Sequence, residues 1–187
     1  LMEEQWLVEG ITGTYLPLLQ TFEGLLADGV PFRCTVSLSA PLLTMLTDDL
    51  LKTRYAERLD HLIELAEREI VRTRPEPYYQ RLAVMYRDRF ASLRHPWRCN
   101  DGNLVAAFRV LQEAGRLEVM TSTATHAFFP ALDRNWSALR AQVHTAADLY
   151  ERHFGRRPLG MWLGECGYVP GVDEILREAA VRYFFVD

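Results

Sequence analysis

Arg157-Pro158-Leu159-Gly160-Met161-Trp162-Leu163-Gly164-Glu165-Cys166-Gly167-Tyr168 is a short apolar run that ends on an acid held between glycine-bearing steps. Pro158 before it and Gly164 after it bound a buried strand over residues 159–163. Upstream, Asn135 caps a helix that carries Leu139, Val143, Ala147, Tyr150 and Phe154 on one face. Before that helix, residues 116–121 read as a strand opening into the polar loop 122–126. A helix capped by Asn100 or Asp101 and ended by Ala114-Gly115 precedes this strand. After Asp28-Gly29, the β-forming residues 32–39 predict a first strand and residues 41–46 a short helix. Downstream, a helix over about 172–180 delivers a terminal strand at 183–187. Strands that alternate with helices in this order imply an α/β fold with a parallel sheet and right-handed crossovers.

Two regions add helices to that plan. Residues 3–27 place Trp6, Leu7, Ile11, Tyr15, Leu18, Leu19, Phe22 and Leu26 at helical spacing, with Pro17 expected to kink or split the helix. From 51 to 72 the apolar positions Tyr55, Leu59, Leu62, Ile63, Ala66 and Ile70 repeat in the same way, and the charged residues between them form a solvated face. Arg74-Pro75-Glu76-Pro77 breaks the pattern, and a second helix over 78–93 returns toward His95-Pro96-Trp97. The pair, about 51–94, reads as an inserted helical hairpin.

The 187 residues are 49% hydrophobic and 25% charged, which excludes disordered, collagen-like and low-complexity classes. With 21 Lys+Arg against 25 Asp+Glu the formal charge is −4, so the basic footprint of a nucleic-acid binder is missing. No apolar run approaches the roughly 18 to 20 residues of a membrane span. Glu3 and Glu4 stand where a signal peptide would be basic. Cys34, Cys99 and Cys166 are far apart and lack C-x-x-C spacing, which predicts free thiols and a cytoplasmic location. The chain starts on Leu1 and stops on a strand-like run, Tyr183-Phe184-Phe185-Val186-Asp187. It is therefore expected to be one domain, or part of one that continues beyond residue 187.

A parallel α/β sheet binds ligands at the carboxyl ends of its strands. That rule selects Ser37 and Ser39, Thr121 to His126, Glu165 to Tyr168, and Asp187. Glu165 stands out as an acid at the end of an apolar strand, able to serve as nucleophile, base or acid, or merely to cap the following helix. His126 is the second, with a packed structural histidine as its plainer reading. His61, His95, His144 and His153 lack metal spacing and read as solvated or packed. Trp6, Trp97, Trp136 and Trp162 could stack on sugars but as singletons read first as core residues, and Glu118 is expected to face a partner charge. No Walker loop, G-x-G-x-x-G, G-x-S-x-G or His/Cys cluster is present, so nucleotide and zinc chemistry lose support.

Trp162-Leu163-Gly164-Glu165-Cys166-Gly167-Tyr168 resembles the third signature region of glycoside hydrolase family 57, and within it of the 1,4-alpha-glucan branching enzymes, where Trp-Leu-x-Glu-Cys-x-Tyr carries the nucleophile. Gly115-Arg116-Leu117-Glu118-Val119-Met120-Thr121 with Thr123-Ala124-Thr125-His126 resembles the second signature region. More loosely, residues 4–12 are similar to the first helix of these enzymes, and 183–187 to the strand after the nucleophile.

The resemblance implies the N-terminal part of a (β/α)7 barrel, an incomplete relative of the eight-stranded one. It implies a retaining α-glucan transglycosylase that forms α-1,6 branches, as in glycogen biosynthesis, through a glycosyl-enzyme intermediate on Glu165. His126, Trp162 and Asp187 would bind substrate, and neither metal nor organic cofactor is required. The family's first signature would precede Leu1, and the acid/base aspartate of its fourth would lie beyond Asp187, which is not that residue. These residues alone are therefore expected to be nearly inactive. The alternatives are a 4-alpha-glucanotransferase or amylase of the same family, a non-catalytic glucan-binding fragment and, more distantly, a metal-dependent deacetylase. Oligomeric state is left open.

Overall fold

The computed structural model describes residues 2–186. The chain forms two compact units, Leu1–Val30 with Leu46–Ala107, and Pro31–Met45 with Phe108–Asp187.

The first unit is helical. α1 (Met2–Gly10) passes through a π-helical turn (Ile11–Tyr15) into α2 (Leu16–Ala27). Pro17 neither splits nor ends the helix. The widened turn ahead of it, in which the Leu16 N–H reaches back five residues to the Ile11 carbonyl, absorbs the proline. The buried stripe is Leu7, Ile11, Leu16, Leu19 and Phe22, and Trp6, a third of a turn away from Leu7, faces solvent at 63% exposure.

α4 (Asp49–Arg72), whose first turn is capped by Asp48, and α5 (Pro77–Cys99) form the expected hairpin. Tyr55 meets Trp97 at 4.4 Å between ring centroids, and Asp60 pairs with Arg94 at 2.6 Å, so the two helices run antiparallel. α5 continues through Pro96, six residues beyond the expected end. The Ser92 carbonyl that Pro96 leaves without a helical donor lies 3.5 Å from Gln20 Nε2, and the extra turn buries Trp97. Burying an aromatic of this size is worth roughly 1.5–3 kcal/mol, enough to outweigh one weakened hydrogen bond of about 1 kcal/mol. Asn100 closes α5 by donating to the Pro96 carbonyl (2.9 Å), so neither it nor Asp101 caps the next helix. That role falls to Asn103, whose Oδ1 accepts from the Ala106 N–H (3.1 Å) at the start of α6 (Leu104–Glu113).

The second unit holds the sheet. β1 (Cys34–Ser37), β2 (Leu117–Ser122), β3 (Gly160–Trp162) and β4 (Tyr183–Phe184) are all parallel and lie in sequence order. α3 (Ala40–Thr47) follows β1, α7 (Trp136–Phe154) links β2 to β3, and α8 (Val172–Glu178) links β3 to β4. Asn135 caps α7 as expected, accepting from the Ala138 N–H at 3.0 Å, and Gly155 ends it in the left-handed conformation (φ 70°). Met161 and Leu163 of the third strand segment pack with Leu139, Val143 and Ala146 of α7 and Val172, Ile175 and Leu176 of α8. Strand alternation turns Gly160 and Trp162 to the opposite face. A Cβ on Gly160 would run into the Tyr183 ring, so the small residue lets that ring lie against the strand. No helix among the described residues is long and apolar enough to cross a membrane.

Candidate active site

At the carboxyl end of β2 the hydroxyls of Thr121 and Ser122 are buried and spent on backbone carbonyls, of Leu38 and Thr123 respectively (3.1 Å each). Thr123 then builds a tight turn. Its carbonyl accepts from the His126 N–H (3.1 Å) and its Oγ1 from the Ala127 N–H (3.0 Å). Gln142 of α7 holds the same loop from outside: its side-chain oxygen accepts from the Thr125 N–H, its amide donates to Thr125 Oγ1, both at 2.8 Å, and its carbonyl accepts from the Ala124 N–H. These bonds keep His126 at φ 55°, a left-handed backbone that costs a non-glycine residue about 1–2 kcal/mol.

The carboxyl end of β3 carries a matching turn. Residues Gly164–Cys166 form a single 3-10 turn, closed by the Cys166 N–H on the Leu163 carbonyl (3.1 Å) and the Gly167 N–H on the Gly164 carbonyl (2.9 Å). Glu165 (φ 50°, ψ 33°) and Cys166 (φ 55°) are both left-handed. Strain of this kind persists only where surrounding contacts fix it, and it concentrates at functional sites. The fixing contact here is Gly164. A Cβ on it would stand 2.6 Å from the Ala127 carbonyl oxygen and 2.9 Å from that of His126, so the two turns touch backbone to backbone.

That contact brings the two residues singled out in the sequence together. His126 Nε2 lies 3.7 Å from a Glu165 carboxylate oxygen, with side-chain exposures of 49% and 80%. The separation is too long for a hydrogen bond but short enough for an ion pair once the imidazole is protonated. The pair faces solvent, open to a ligand too large for a closed cavity. Beyond it, the Tyr168 hydroxyl donates to Asp173 (2.9 Å), which also accepts from the Gly171 N–H (3.1 Å). The bond from Tyr168 holds the Asp173 carboxyl below the usual carboxylate range and pushes the phenol up.

The other sequence candidates fall elsewhere. Trp162 lies on the open sheet face, 36% exposed, its ring 5.5 Å from that of Phe185. Asp187 lies outside the described residues. Ser37 is exposed at the end of β1, and Ser39 Oγ accepts from the Leu42 N–H (3.3 Å) as the cap of α3. Glu118 does face a charge, Arg156 at 3.9 Å. Of the tryptophans expected in cores, Trp97 is buried, whereas Trp6 and Trp136 are exposed. Trp136 opens α7 and its ring covers Gly171 instead of entering the core. Gln142, which holds the His126 turn from outside, was not singled out in the sequence, whereas Thr123 fell within the selected stretch 121–126. The available signal was an amide one residue before the buried Val143, on a helix whose inward positions are otherwise apolar.

The profile of the family described as glycosyl hydrolase family 57 matches residues 2–187. The chain is 34% identical over 200 residues to a 1,4-alpha-glucan branching enzyme of Thermococcus kodakarensis, covering 98% of this chain and 29% of the relative. Among solved structures, the alpha-amylase AmyC of Thermotoga maritima superposes with a TM-score of 0.94 at 40% identity, over 100% of this chain and 36% of that one. A family 57-type branching enzyme of Pyrococcus horikoshii gives 0.93 at 31% identity, over 97% of this chain and 37% of that one. The chain thus spans about a third of the length of the proteins it matches. Its parallel sheet is part of the (β/α)7 barrel of these enzymes. By profile, sequence and fold, the chain belongs to glycosyl hydrolase family 57.

Proposed function

We propose that the chain carries the nucleophile half of a retaining α-glucan transglycosylase, a 1,4-alpha-glucan branching enzyme. The observation that supports this most directly is the His126–Glu165 pair at 3.7 Å on neighbouring, backbone-locked turns at the carboxyl ends of β2 and β3. Glu165 attacks the anomeric carbon of an α-1,4-linked glucose while the glycosidic C–O bond breaks. A second carboxyl, needed about 5 to 5.5 Å away, protonates the departing oxygen. The resulting glycosyl ester on Glu165 is resolved by the 6-hydroxyl of another glucan chain. That hydroxyl gives its proton to the same second carboxyl as the new α-1,6 bond forms and the ester bond breaks. His126 orients the Glu165 carboxylate and donates to a sugar hydroxyl, and Trp162 and Asp187 belong to the substrate-binding surface.

The high similarity to an alpha-amylase favours a second reading, in which water resolves the same intermediate. Incubation with amylose of a polypeptide that carries these residues together with the second carboxyl separates the two. Branching yields products that a debranching enzyme shortens, with few new reducing ends, whereas hydrolysis yields reducing ends and no α-1,6 linkage. Trapping with a 5-fluoro-glucosyl fluoride should add one sugar to the peptide containing Glu165. A label on any other residue would overturn the assignment.

A further inference from the structure

The helical unit contains a groove of about 930 Å³, larger than any other cavity described in the chain, which the chemistry above leaves unused. It runs between α1 with its π-turn and the α4–α5 hairpin, and its volume falls within the range of small-molecule and oligosaccharide sites.

Two features of the lining define what it can hold. Tyr86 and Phe90, one helical turn apart on α5, present neighbouring rings with centroids 5.8 Å apart and tilted by 31°, and Tyr86 is 47% exposed. An aromatic surface of this kind suits the C–H face of a pyranose. Around it stand three carboxylates, Glu4, Glu9 and Glu57, and three guanidiniums, Arg54, Arg58 and Arg89. Their formal charges cancel, so the groove attracts neither an anion nor a cation of high charge. Carboxylates only accept hydrogen bonds and guanidiniums only donate them. A sugar hydroxyl does both, and a pair of adjacent hydroxyls can bridge one group of each kind. Arg54 already pairs with Glu4 (3.0 Å), whereas Glu57, Arg58 and Arg89 hold no side-chain ion pair among the described residues. Their hydrogen-bonding capacity is available to a ligand.

We infer that this groove is a second binding site for a neutral glucan chain, separate from the Glu165 site and serving to hold the polysaccharide on the protein. The choice of glucan as the neutral polyol rests on the α-glucan reading given above. Retardation of the full chain in native gels containing glycogen, with maltoheptaose as competitor, tests it. The Tyr86→Ala/Phe90→Ala double variant should lose retardation by roughly tenfold or more in apparent Kd, equivalent to about 1.4 kcal/mol. Tyr86→Trp should retain it, and matching thermal midpoints for all forms show that folding is not the cause. Glu165→Gln should abolish sugar trapping yet leave retardation intact, so the two readings fail separately. Unchanged retardation in the double variant, loss of retardation in Glu165→Gln, a wild-type chain that glycogen does not retard, or retardation that maltoheptaose does not relieve would each overturn the groove.

Discussion

The two ends of the same parallel strands are built on opposite terms. At the amino end of β2, the buried side chains of Tyr150 and Gln112 are joined to each other and to the strand. The Tyr150 hydroxyl donates to the Val119 carbonyl (2.7 Å), the Gln112 amide lies 2.7 Å from that hydroxyl, and Arg156 approaches Glu118. At the carboxyl ends, His126 and Glu165 point outward, approach each other at 3.7 Å, and sit on left-handed backbone. The first arrangement favours a stable strand origin. The second leaves both side chains reachable from solvent, at a conformational cost carried by Thr123, Gln142 and the close approach at Gly164.

The contrast breaks most sharply at Glu165. In a polypeptide that also supplies the second carboxyl, Glu165→Gln should lower glucan turnover by roughly a thousandfold or more, as loss of a coupled catalytic group does. The thermal midpoint should stay unchanged, because the side chain is 80% exposed; a large shift in calorimetry would make Glu165 structural. Gly164→Ala comes next. The added Cβ forces apart two backbone turns, which should cost about 1–3 kcal/mol and also reduce turnover. Wild-type activity in this variant would show that the two turns need not touch.

Tyr150→Phe probes the other end. It should cost about 1–2 kcal/mol by leaving the Val119 carbonyl without its donor, with turnover per folded molecule unchanged. Burial pushes the Tyr150 phenol above its ordinary value of 10, so its contribution is complete below pH 10 and is lost as pH rises through the folded-state value. The variant should therefore lose less stability than wild type between pH 10 and its alkaline unfolding, as read by chemical denaturation across that range. The smallest effect belongs to Ala180→Gly. Ala180 is an exposed residue at φ 65° just past α8, so relief of strain should raise stability by about 0.5 kcal/mol with no change in turnover. The same substitution at His126 should also relieve strain but reduce activity, which separates strain kept for function from strain at an ordinary helix end.

Much of this layout was legible in the sequence because it rests on periodicity. The α7 stripe, the hairpin helices and the order of the parallel strands follow from apolar spacing and from the cap Asn135. The rule that ligands meet the carboxyl ends of strands then picked out Glu165 and His126, which the fold brings together. Three features were not legible, each for a physical reason. Pro96 signals a helix end locally, but burial of Trp97 overrides it. Asn100, Asp101 and Asn103 are equivalent capping residues in sequence, and only the end of α5 determines which one serves α6. The left-handed backbone of His126, Glu165 and Cys166 has no glycine to announce it, because packing between turns imposes it.

The approach of Gly164 to the Ala127 and His126 carbonyls has an evolutionary consequence. The turns after β2 and β3 share one surface, so a substitution that reshapes either turn is acceptable only in the company of a compensating change in the other. Their sequences therefore form a single unit, in which a change to one turn is felt by the other.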